Sequence, residues 1–223
     1  MARGIHEGAV LVVGLGRFGS ALADDLQRLG HEVLAVDANA ALVQEWSDRL
    51  THVVQADATN EAAMRQLGAD SFDMAVVAIG TGIEASLLST GVLIDLGVPH
   101  IWAKAITAAH GRILERIGAG HVVYPERDTG KRVAHLISGR LMDYIEFDDD
   151  FAIVKMRVPR EAHGRTLADS ALRSKYGVTI VGVKRSGEDF TYARPETLVQ
   201  PGDILIVAGP TDVVEKFAAE AHG

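Results

Sequence analysis

Apolar runs alternate with segments of helical periodicity along the first half of the chain. The continuous apolar run at residues 9–13 predicts a strand buried on both faces. From Arg17 to Leu29 apolar side chains recur every three or four residues, which predicts a helix, and Gly30 follows where a helix-ending glycine is expected. Further strands are predicted at 32–37, 52–55, 73–79, 100–103 and 121–124, with helices between them at 41–49, 61–67, 84–96 and 107–117. Six strands separated by helices predict an α/β fold with a doubly wound parallel sheet.

The pattern changes after the sixth strand. Residues 128–141 predict a long amphipathic helix with no strand after it in the same rhythm. Beyond it the segments are shorter and richer in β-structure, with strands predicted at 152–158, 178–184, 190–193 and 203–208 and helices at 166–175 and 211–219. We therefore predict a nucleotide-binding domain at 1–127, a helix and linker at 128–147, and a small α+β domain at 148–223.

Composition excludes several classes of function. The 223 residues include no cysteine, which excludes disulfide scaffolds, thiolate nucleophiles and cysteine-ligated zinc. The formal net charge of −8 argues against a broad basic face, so no nucleic-acid partner is expected. No apolar run reaches the roughly 18–20 residues that a membrane span needs. We expect a cytoplasmic protein.

A glycine-rich turn follows the first predicted strand. Gly14, Gly16 and Gly19 fit the pattern G-x-G-x-x-G, which here opens a helix. The first glycine permits a tight turn, the second lets a phosphate approach the backbone, and the third lets the helix pack closely on the strand. Asp37 ends the second strand, where its carboxylate would accept hydrogen bonds from ribose hydroxyls and repel a 2′-phosphate. The sequence therefore predicts a site for an adenosine nucleotide without a 2′-phosphate.

Other polar residues are expected at the same edge of the sheet. Arg17 begins the helix beside the phosphates and is either a cation for phosphate charge or a solvated residue. Asp57 follows the third strand and either meets an adenine amino group or caps the next helix. Gly80, Lys104 and Glu126 come after the fourth, fifth and sixth strands, whose carboxyl ends share that edge.

The motifs of several enzyme classes are missing. The sequence contains no H-E-x-x-H zinc motif, no G-x-S-x-G elbow and no G-K-[ST] P-loop. A nicotinamide-dependent oxidoreductase also needs an acid–base residue and a substrate pocket, which the small second domain does not supply. A nucleotide fold without such chemistry predicts a sensor and not an enzyme, with an oxidoreductase as the rival interpretation.

A set of motifs along nearly the whole chain resembles one family. The motifs are VVGLGRFG, GHEVLAVD, ADAT, VVAIG, IWAKA, IGAGHVVYPERDTG, KYGVTIVGVKR and PGDILIVAG. In this order they resemble the RCK, or KTN, regulatory subunits of Ktr/Trk-type potassium uptake systems, most closely the KtrA/KtrC type. The resemblance implies a Rossmann-like RCK_N domain, a crossover helix and a small RCK_C subdomain.

The resemblance also implies ligands and partners. Such subunits form homodimers that assemble into an octameric ring on the cytoplasmic face of a membrane potassium subunit of the KtrB/TrkH type. ATP and ADP compete for the N-terminal site, and each favours a different ring conformation. Some relatives bind NAD(H), so a TrkA-like NADH sensor is the alternative. Cyclic di-AMP binds the C-terminal subdomain of some members at its dimer interface, and a dimerisation surface without a ligand is the alternative for this region.

Matching positions carry the family's site residues onto this chain. Arg17 matches an arginine that reaches the γ-phosphate across the dimer. Glu126 matches a glutamate that helps hold a divalent cation, Mg²⁺ or Ca²⁺, between the two sites of a dimer. The positions that match the nucleotide site are Gly14, Gly16, Arg17, Phe18, Gly19, Asp37, Asp57, Ala58, Ile79, Gly80, Lys104 and Ala105. The region expected to bind the second ligand contains Val183, Lys184, Arg185, Tyr192 and Pro195, and the chain departs from the pattern there because Ala193 replaces a proline found in several members.

Overall fold

The computed structural model describes residues 8–137, 141–147 and 150–220. They divide into two compact units, one ending at Glu126 and the other beginning at Arg127. Within these described ranges, none of the helices is long and apolar enough to cross a membrane.

The first unit is a parallel sheet of six strands with helices on both faces. In the sheet order β3-β2-β1-β4-β5-β6, the direction of winding reverses between β1 and β4. The predicted doubly wound sheet is therefore confirmed. The strands are β1 (Ala9–Val13), β2 (Glu32–Asp37), β3 (His52–Gln55), β4 (Met74–Val77), β5 (His100–Lys104) and β6 (His121–Val123). The helices are α1 (Arg17–Arg28), α2 (Ala40–Trp46), α3 (Glu61–Gln66), α4 (Ile83–Asp95), α5 (Ala108–Ile117) and α6 (Pro125–Ile137), whose last eleven residues belong to the second unit.

The central strand β1 explains the layering of this unit. All five of its residues are buried, because successive side chains point to opposite faces of the sheet and both faces are covered. Leu11 belongs to one apolar cluster with residues of α3, α4 and α5. Val12 belongs to a second cluster, on the other face, with residues of α1 and α2. The continuous apolar run in the sequence thus reflects burial on two sides.

The turn between β1 and α1 is packed against the sheet. Gly14 has a φ of +99°, which favours glycine, and its N–H donates to the Val36 carbonyl at 2.7 Å. A Cβ on Gly19 would lie 1.8 Å from the Gly14 carbonyl oxygen and 2.8 Å from the Ala78 Cβ. A Cβ on Gly16 would meet nothing within 4 Å. Gly14 and Gly19 therefore form the packed side of the turn, and Gly16 its open side.

The second unit is built on a five-stranded antiparallel sheet in the order β11-β10-β13-β8-β7, beside a short pair β12-β9. Its core includes Met156, Leu205 and Phe217. The strands are β7 (Asp143–Phe147), β8 (Phe151–Arg157), β9 (Arg165–Thr166), β10 (Thr179–Lys184), β11 (Phe190–Tyr192), β12 (Leu198–Val199) and β13 (Ile204–Pro210), and the helices are α7 (Leu167–Ser170), α8 (Leu172–Tyr176) and α9 (Thr211–Glu220).

Several element boundaries differ from the sequence predictions. The helix predicted at 128–141 begins at Pro125, since proline suits a first helical turn, and Leu141 lies outside it. Strand β7 lies inside the predicted linker and pairs with β8 in the second sheet. The helix predicted at 166–175 is two short helices, because Ala171 adopts a left-handed conformation with a φ of 51°. Helix α2 ends at Trp46, before the predicted Arg49.

We predict a large loss of stability for alanine at one glycine of the turn and a small change at another. Gly19→Ala should lower the free energy of unfolding by at least about 2 kcal/mol, because the added methyl group collides with the backbone of the turn. Gly16→Ala should stay within about 1 kcal/mol of wild type, because the space around it is open. Urea denaturation of the two variants measures both values. A Gly19→Ala protein as stable as the Gly16→Ala protein would contradict this packing.

Candidate functional site

A cavity of about 490 Å³ opens at the carboxyl ends of the parallel strands. Its size lies in the usual range for small-molecule sites, and its place at the reversal of the strand order is where parallel α/β sheets form ligand crevices. Of the residues predicted for the nucleotide site, those that line it are Gly14, Gly16, Arg17, Phe18, Asp37, Asp57, Ala58, Ile79, Gly80 and Lys104, and Glu126 lines it as well.

Two predicted residues lie behind the cavity wall. Gly19 packs under the turn against Gly14, and Ala105 is buried in the apolar cluster shared by α3, α4 and α5. Neither residue lines the cavity. Gly19 lets the wall form, because its position leaves no room for a side chain.

The start of α1 faces the cavity with unused donors. Gly16 is the N-cap residue and offers no side chain that caps the helix, and the first helical bond runs from the Ser20 N–H to the Gly16 carbonyl at 2.9 Å. The N–H groups of a first helical turn have no partner within the helix, and they lie at the positive end of its dipole. Arg17 is exposed beside them. Together these groups can bind an anion.

The Asp37 carboxylate ties the end of β2 to the glycine-rich turn. Its Oδ2 accepts the Leu15 N–H at 2.6 Å, and its Oδ1 accepts the Asn39 N–H at 2.8 Å. Each carboxylate oxygen has a second lone pair, so both can accept one further bond from a hydroxyl group in the cavity. Asp37 is therefore a structural acceptor as well as a candidate binding group.

Asp57 accepts two hydrogen bonds from one neighbour. Its Oδ1 accepts the Thr59 hydroxyl at 2.7 Å and the Thr59 N–H at 2.9 Å, and these bonds lower the pKa of Asp57 below its usual value. The alternative that Asp57 caps the next helix is wrong, because Asn60 is the N-cap of α3 and accepts the Ala63 N–H. Asp57 also lines the cavity.

Lys104 and Glu126 form an ion pair at the other end of the cavity. The Lys104 Nζ donates to the Glu126 Oε1 at 2.5 Å, with the lysine side chain 8% exposed and the glutamate 62% exposed. A Cβ on Gly80 would lie 2.9 Å from that Nζ, so glycine makes room for the lysine. The hydrogen bond from Lys104 lowers the pKa of Glu126, and the charges of Lys104 and Arg17 lower it further. Glu126 therefore presents a stably ionised carboxylate to solvent.

Part of the cavity lining consists of residues that were not predicted for the site. Asn39, Thr59 and Thr81 each follow a strand end closely, and that position is the signal that could have found them. Ser89 also lines the cavity but lies in the second turn of α4, among apolar residues, where no sequence signal marked it.

The residues predicted to bind a second ligand do not all line the same groove of the second unit. Pro195 borders a groove of about 550 Å³ together with residues of α7 and α8, and the other four predicted residues do not line it. Arg185 is held instead by the buried Asp203, with both Nε–Oδ1 and Nη2–Oδ2 at 3.1 Å. Lys184 donates to the Glu188 carbonyl at 2.5 Å, Val183 is buried, and Tyr192 is exposed on the edge strand β11. Their positions in the hairpin and these partners separate them from the groove.

Metal ligands are sparse in this structure. Within residues 8–137, 141–147 and 150–220, no three histidine, aspartate or glutamate side chains are grouped so that they could hold a metal ion. Glu126 by itself offers one carboxylate, and one of its two oxygens already accepts a hydrogen bond from Lys104. A cation there would need further oxygen ligands from the bound molecule or from a second copy of the chain.

Comparison with known proteins gives clear matches in sequence. The TrkA-N domain matches residues 10–125, and the TrkA-C domain matches residues 152–222. The chain is 38% identical over 210 residues to Ktr system potassium uptake protein A of Bacillus subtilis, covering 94% of this chain and 95% of the relative. It is 39% identical over 207 residues to Ktr system potassium uptake protein C of the same organism, with coverages of 92% and 94%.

The fold is also found among solved structures. The GsuK RCK domain superposes with a TM-score of 0.65 at 20% identity, covering 96% of this chain and 47% of that chain. The GsuK channel bound to NAD superposes with a TM-score of 0.64 at 19% identity, covering 95% and 39%. This chain thus spans less than half the length of either, and the likeness shows the fold alone. Because both domain matches occur in order and the sequence identity extends over almost the full length, the chain belongs to the TrkA-N/TrkA-C family of RCK proteins that includes the Ktr potassium uptake regulatory subunits.

Proposed function

We propose that this protein is a cytoplasmic, nucleotide-sensing gating subunit of a potassium uptake system and acts on a membrane subunit of the KtrB/TrkH type. Family membership supports the link to potassium transport. The observation that carries nucleotide sensing is the cavity, in which one acidic acceptor, one helix N-terminus and one exposed arginine lie along a single opening. In a bound nucleotide, the acidic acceptor would bond the ribose, the helix N-terminus would bond the phosphate chain, and the arginine would balance the charge of that chain.

The contacts suggest how an adenine nucleotide would lie. The ribose hydroxyls would donate to the free lone pairs of Asp37, whose other bonds already hold its position. The phosphates would accept N–H groups at the start of α1, close to Gly16, where no Cβ intrudes. Arg17 and the pair Lys104–Glu126 would then face the outermost phosphate.

ATP and ADP differ at that outer end. The γ-phosphate adds charge that Arg17 of this chain, or of a second copy in a homodimer, would balance. Two triphosphates facing each other across a dimer repel, and Mg²⁺ or Ca²⁺ held partly by Glu126 would offset this repulsion. A tenfold preference of ATP for one conformation supplies about 1.4 kcal/mol per site, and in an octameric ring these contributions add.

NAD(H) is the second candidate ligand. Asp37 suits the ribose of NADH as well as that of ATP, and a solved structure with this fold is described as the GsuK channel bound to NAD. Arg17 and Glu126 favour ATP, because a dinucleotide has no terminal phosphate to engage them.

We assign no catalytic residue. An oxidoreductase would need a free acid–base group beside its substrate. The carboxylates of the cavity and its lysine already have protein partners: Asp37 accepts two backbone N–H groups, Asp57 bonds Thr59, and Lys104 pairs with Glu126. The regulatory relatives support the same conclusion.

For the second unit we propose cyclic di-AMP as ligand of the groove beside Pro195. Arg173 and Arg194 line that groove and supply two cations for its two phosphates. A calorimetric titration in which cyclic di-AMP gives no binding would remove this assignment.

Potassium flux into proteoliposomes tests the proposed function as a whole. Vesicles that contain a KtrB-type membrane subunit should take up potassium faster when this protein and ATP are added than when this protein and ADP are added. The membrane subunit alone, with either nucleotide, is the control. Equal flux with ATP and ADP would contradict the gating role.

Arg17→Ala should weaken ATP binding about tenfold and ADP binding much less, because only ATP brings the γ-phosphate to this guanidinium. Calorimetric titration with both nucleotides measures the ratio. Arg28→Ala, which removes an exposed arginine at the far end of the same helix, is the matched control and should change neither affinity. Equal losses of ATP and ADP in Arg17→Ala would count against the γ-phosphate role.

Glu126→Gln should abolish the gain in ATP affinity that Mg²⁺ or Ca²⁺ provides, because a neutral amide is a poor ligand for these cations. The measurement is ATP affinity with the cation and with a chelator. Glu115→Gln, at an exposed position on α5, keeps the same change of charge away from the cavity and serves as control. A cation effect of wild-type size in Glu126→Gln would rule out this role.

A further inference from the structure

The ammonium group of Lys104 is confined beside the start of α1. Its Nζ would lie 2.9 Å from a Cβ on Gly80, and it lies 5.6 Å from the centre of the Phe18 ring. With the lysine side chain 8% exposed, the ammonium has little room to change position. Because Phe18 is the second residue of α1, the charge lies next to the first turn of that helix, which is its anion-binding end.

The carboxylate that pairs with this ammonium is far less confined. The Glu126 side chain is 62% exposed, and its Oε1 accepts the Lys104 Nζ at 2.5 Å. A glutamate with that exposure can rotate into water at little cost, whereas the buried lysine would then be left without this partner. The pair therefore opens by movement of the glutamate, and it opens at least cost when another anion reaches the ammonium.

A phosphate group at the start of α1 would be such an anion. Lys104, Glu126 and Arg17 all line the cavity, and the charges of both cations act on the Glu126 carboxylate. A phosphate oxygen and a carboxylate oxygen make the same kind of charge-assisted hydrogen bond to an ammonium group. In the structure, Glu126 thus bonds the ammonium that a phosphate would need.

We propose that Glu126 is an internal competitor of the nucleotide phosphates for Lys104. In the absence of a divalent cation, its carboxylate lowers the affinity for nucleotide by holding the ammonium. A Glu126 carboxylate that has bound Mg²⁺ or Ca²⁺ no longer competes, because its charge is neutralised. The inference rests on the proposed function, since it assumes that a nucleotide occupies the cavity with its phosphates at the start of α1.

Calorimetric titration with ATP in the presence of a chelator tests this competition. Glu126→Gln should bind ATP about 3 to 10 times more tightly than wild type, because a neutral amide holds the ammonium less strongly than a carboxylate does. Asp128→Asn is the matched control, since it removes a negative charge two residues further along α6, from a carboxylate that bonds Arg127. The control should bind ATP within about twofold of wild type.

A double variant separates competition from simple repulsion. In the Lys104→Met background, Glu126→Gln should give no gain in ATP affinity, because the ammonium for which the two anions compete is gone. Repulsion between the carboxylate and the phosphates would instead give the same gain in both backgrounds. Lys104→Met should fold, because methionine is an unbranched apolar side chain that removes the buried charge. Thermal unfolding without nucleotide checks each variant, and Lys104→Gln provides the same comparison if Lys104→Met does not fold.

Three results would overturn the inference while the proposed function stands. They are an ATP affinity in Glu126→Gln no higher than that of wild type, an equal gain in Asp128→Asn, and a gain that persists in the Lys104→Met background. Wild-type protein that binds neither ATP nor ADP would overturn both.

Discussion

The hydrogen bonds of the Asp37 carboxylate are the interaction on which the rest of the site depends. They join the end of β2 to the glycine-rich turn at Leu15 and to the start of the next loop at Asn39. The turn also fixes the first residues of α1, of which Arg17 and Phe18 line the cavity. Because two hydrogen bonds already hold the carboxylate, its remaining lone pairs have a fixed direction before a ligand binds. Binding therefore loses little side-chain entropy at Asp37.

The second constraint is charge at the opposite end of the cavity. Lys104 is almost fully buried, and a buried ammonium group needs a partner, which Glu126 supplies. The pairing leaves the glutamate exposed and ionised, close enough to Arg17 for the two charges to interact. A ligand that brings negative charge next to these three groups changes the electrostatic interactions among them. A shorter ligand, which does not reach them, leaves those interactions unchanged. In the function proposed above, that difference would be the physical basis for telling ATP from ADP.

The sequence patterns that predicted the first unit are those imposed by burial on both faces of a parallel sheet. The apolar strands and the glycines of the turn follow directly from that burial, and the cavity follows from the common edge of the strands. The ion pair between Lys104 and Glu126 could be identified only from the tertiary structure, since the two residues are 22 positions apart in the sequence. The sequence gives no signal for Ser89 as a lining residue, because a serine within an apolar helix is also common as a core residue.

The second unit was harder to predict for a related reason. Strand β7 lies at a sheet edge with mostly exposed residues, so it lacks the apolar pattern that marks a buried strand. Strands β9 and β12 have only two residues each, too few for any periodicity. The left-handed Ala171 that breaks a predicted helix is a backbone choice set by tertiary packing, because alanine by itself favours a continuous helix. The expected second-ligand residues were grouped by sequence, and the partners that separate them, such as Asp203, lie elsewhere in the chain.

Calorimetric titration of the wild-type protein with ATP, ADP and NADH, with and without Mg²⁺, tests the central claim most directly. The account predicts tight binding of ATP and ADP, with Mg²⁺ strengthening ATP alone. Tight NADH binding together with weak ATP binding would contradict it, and would identify the cavity as an NADH sensor whose outer charges serve another purpose.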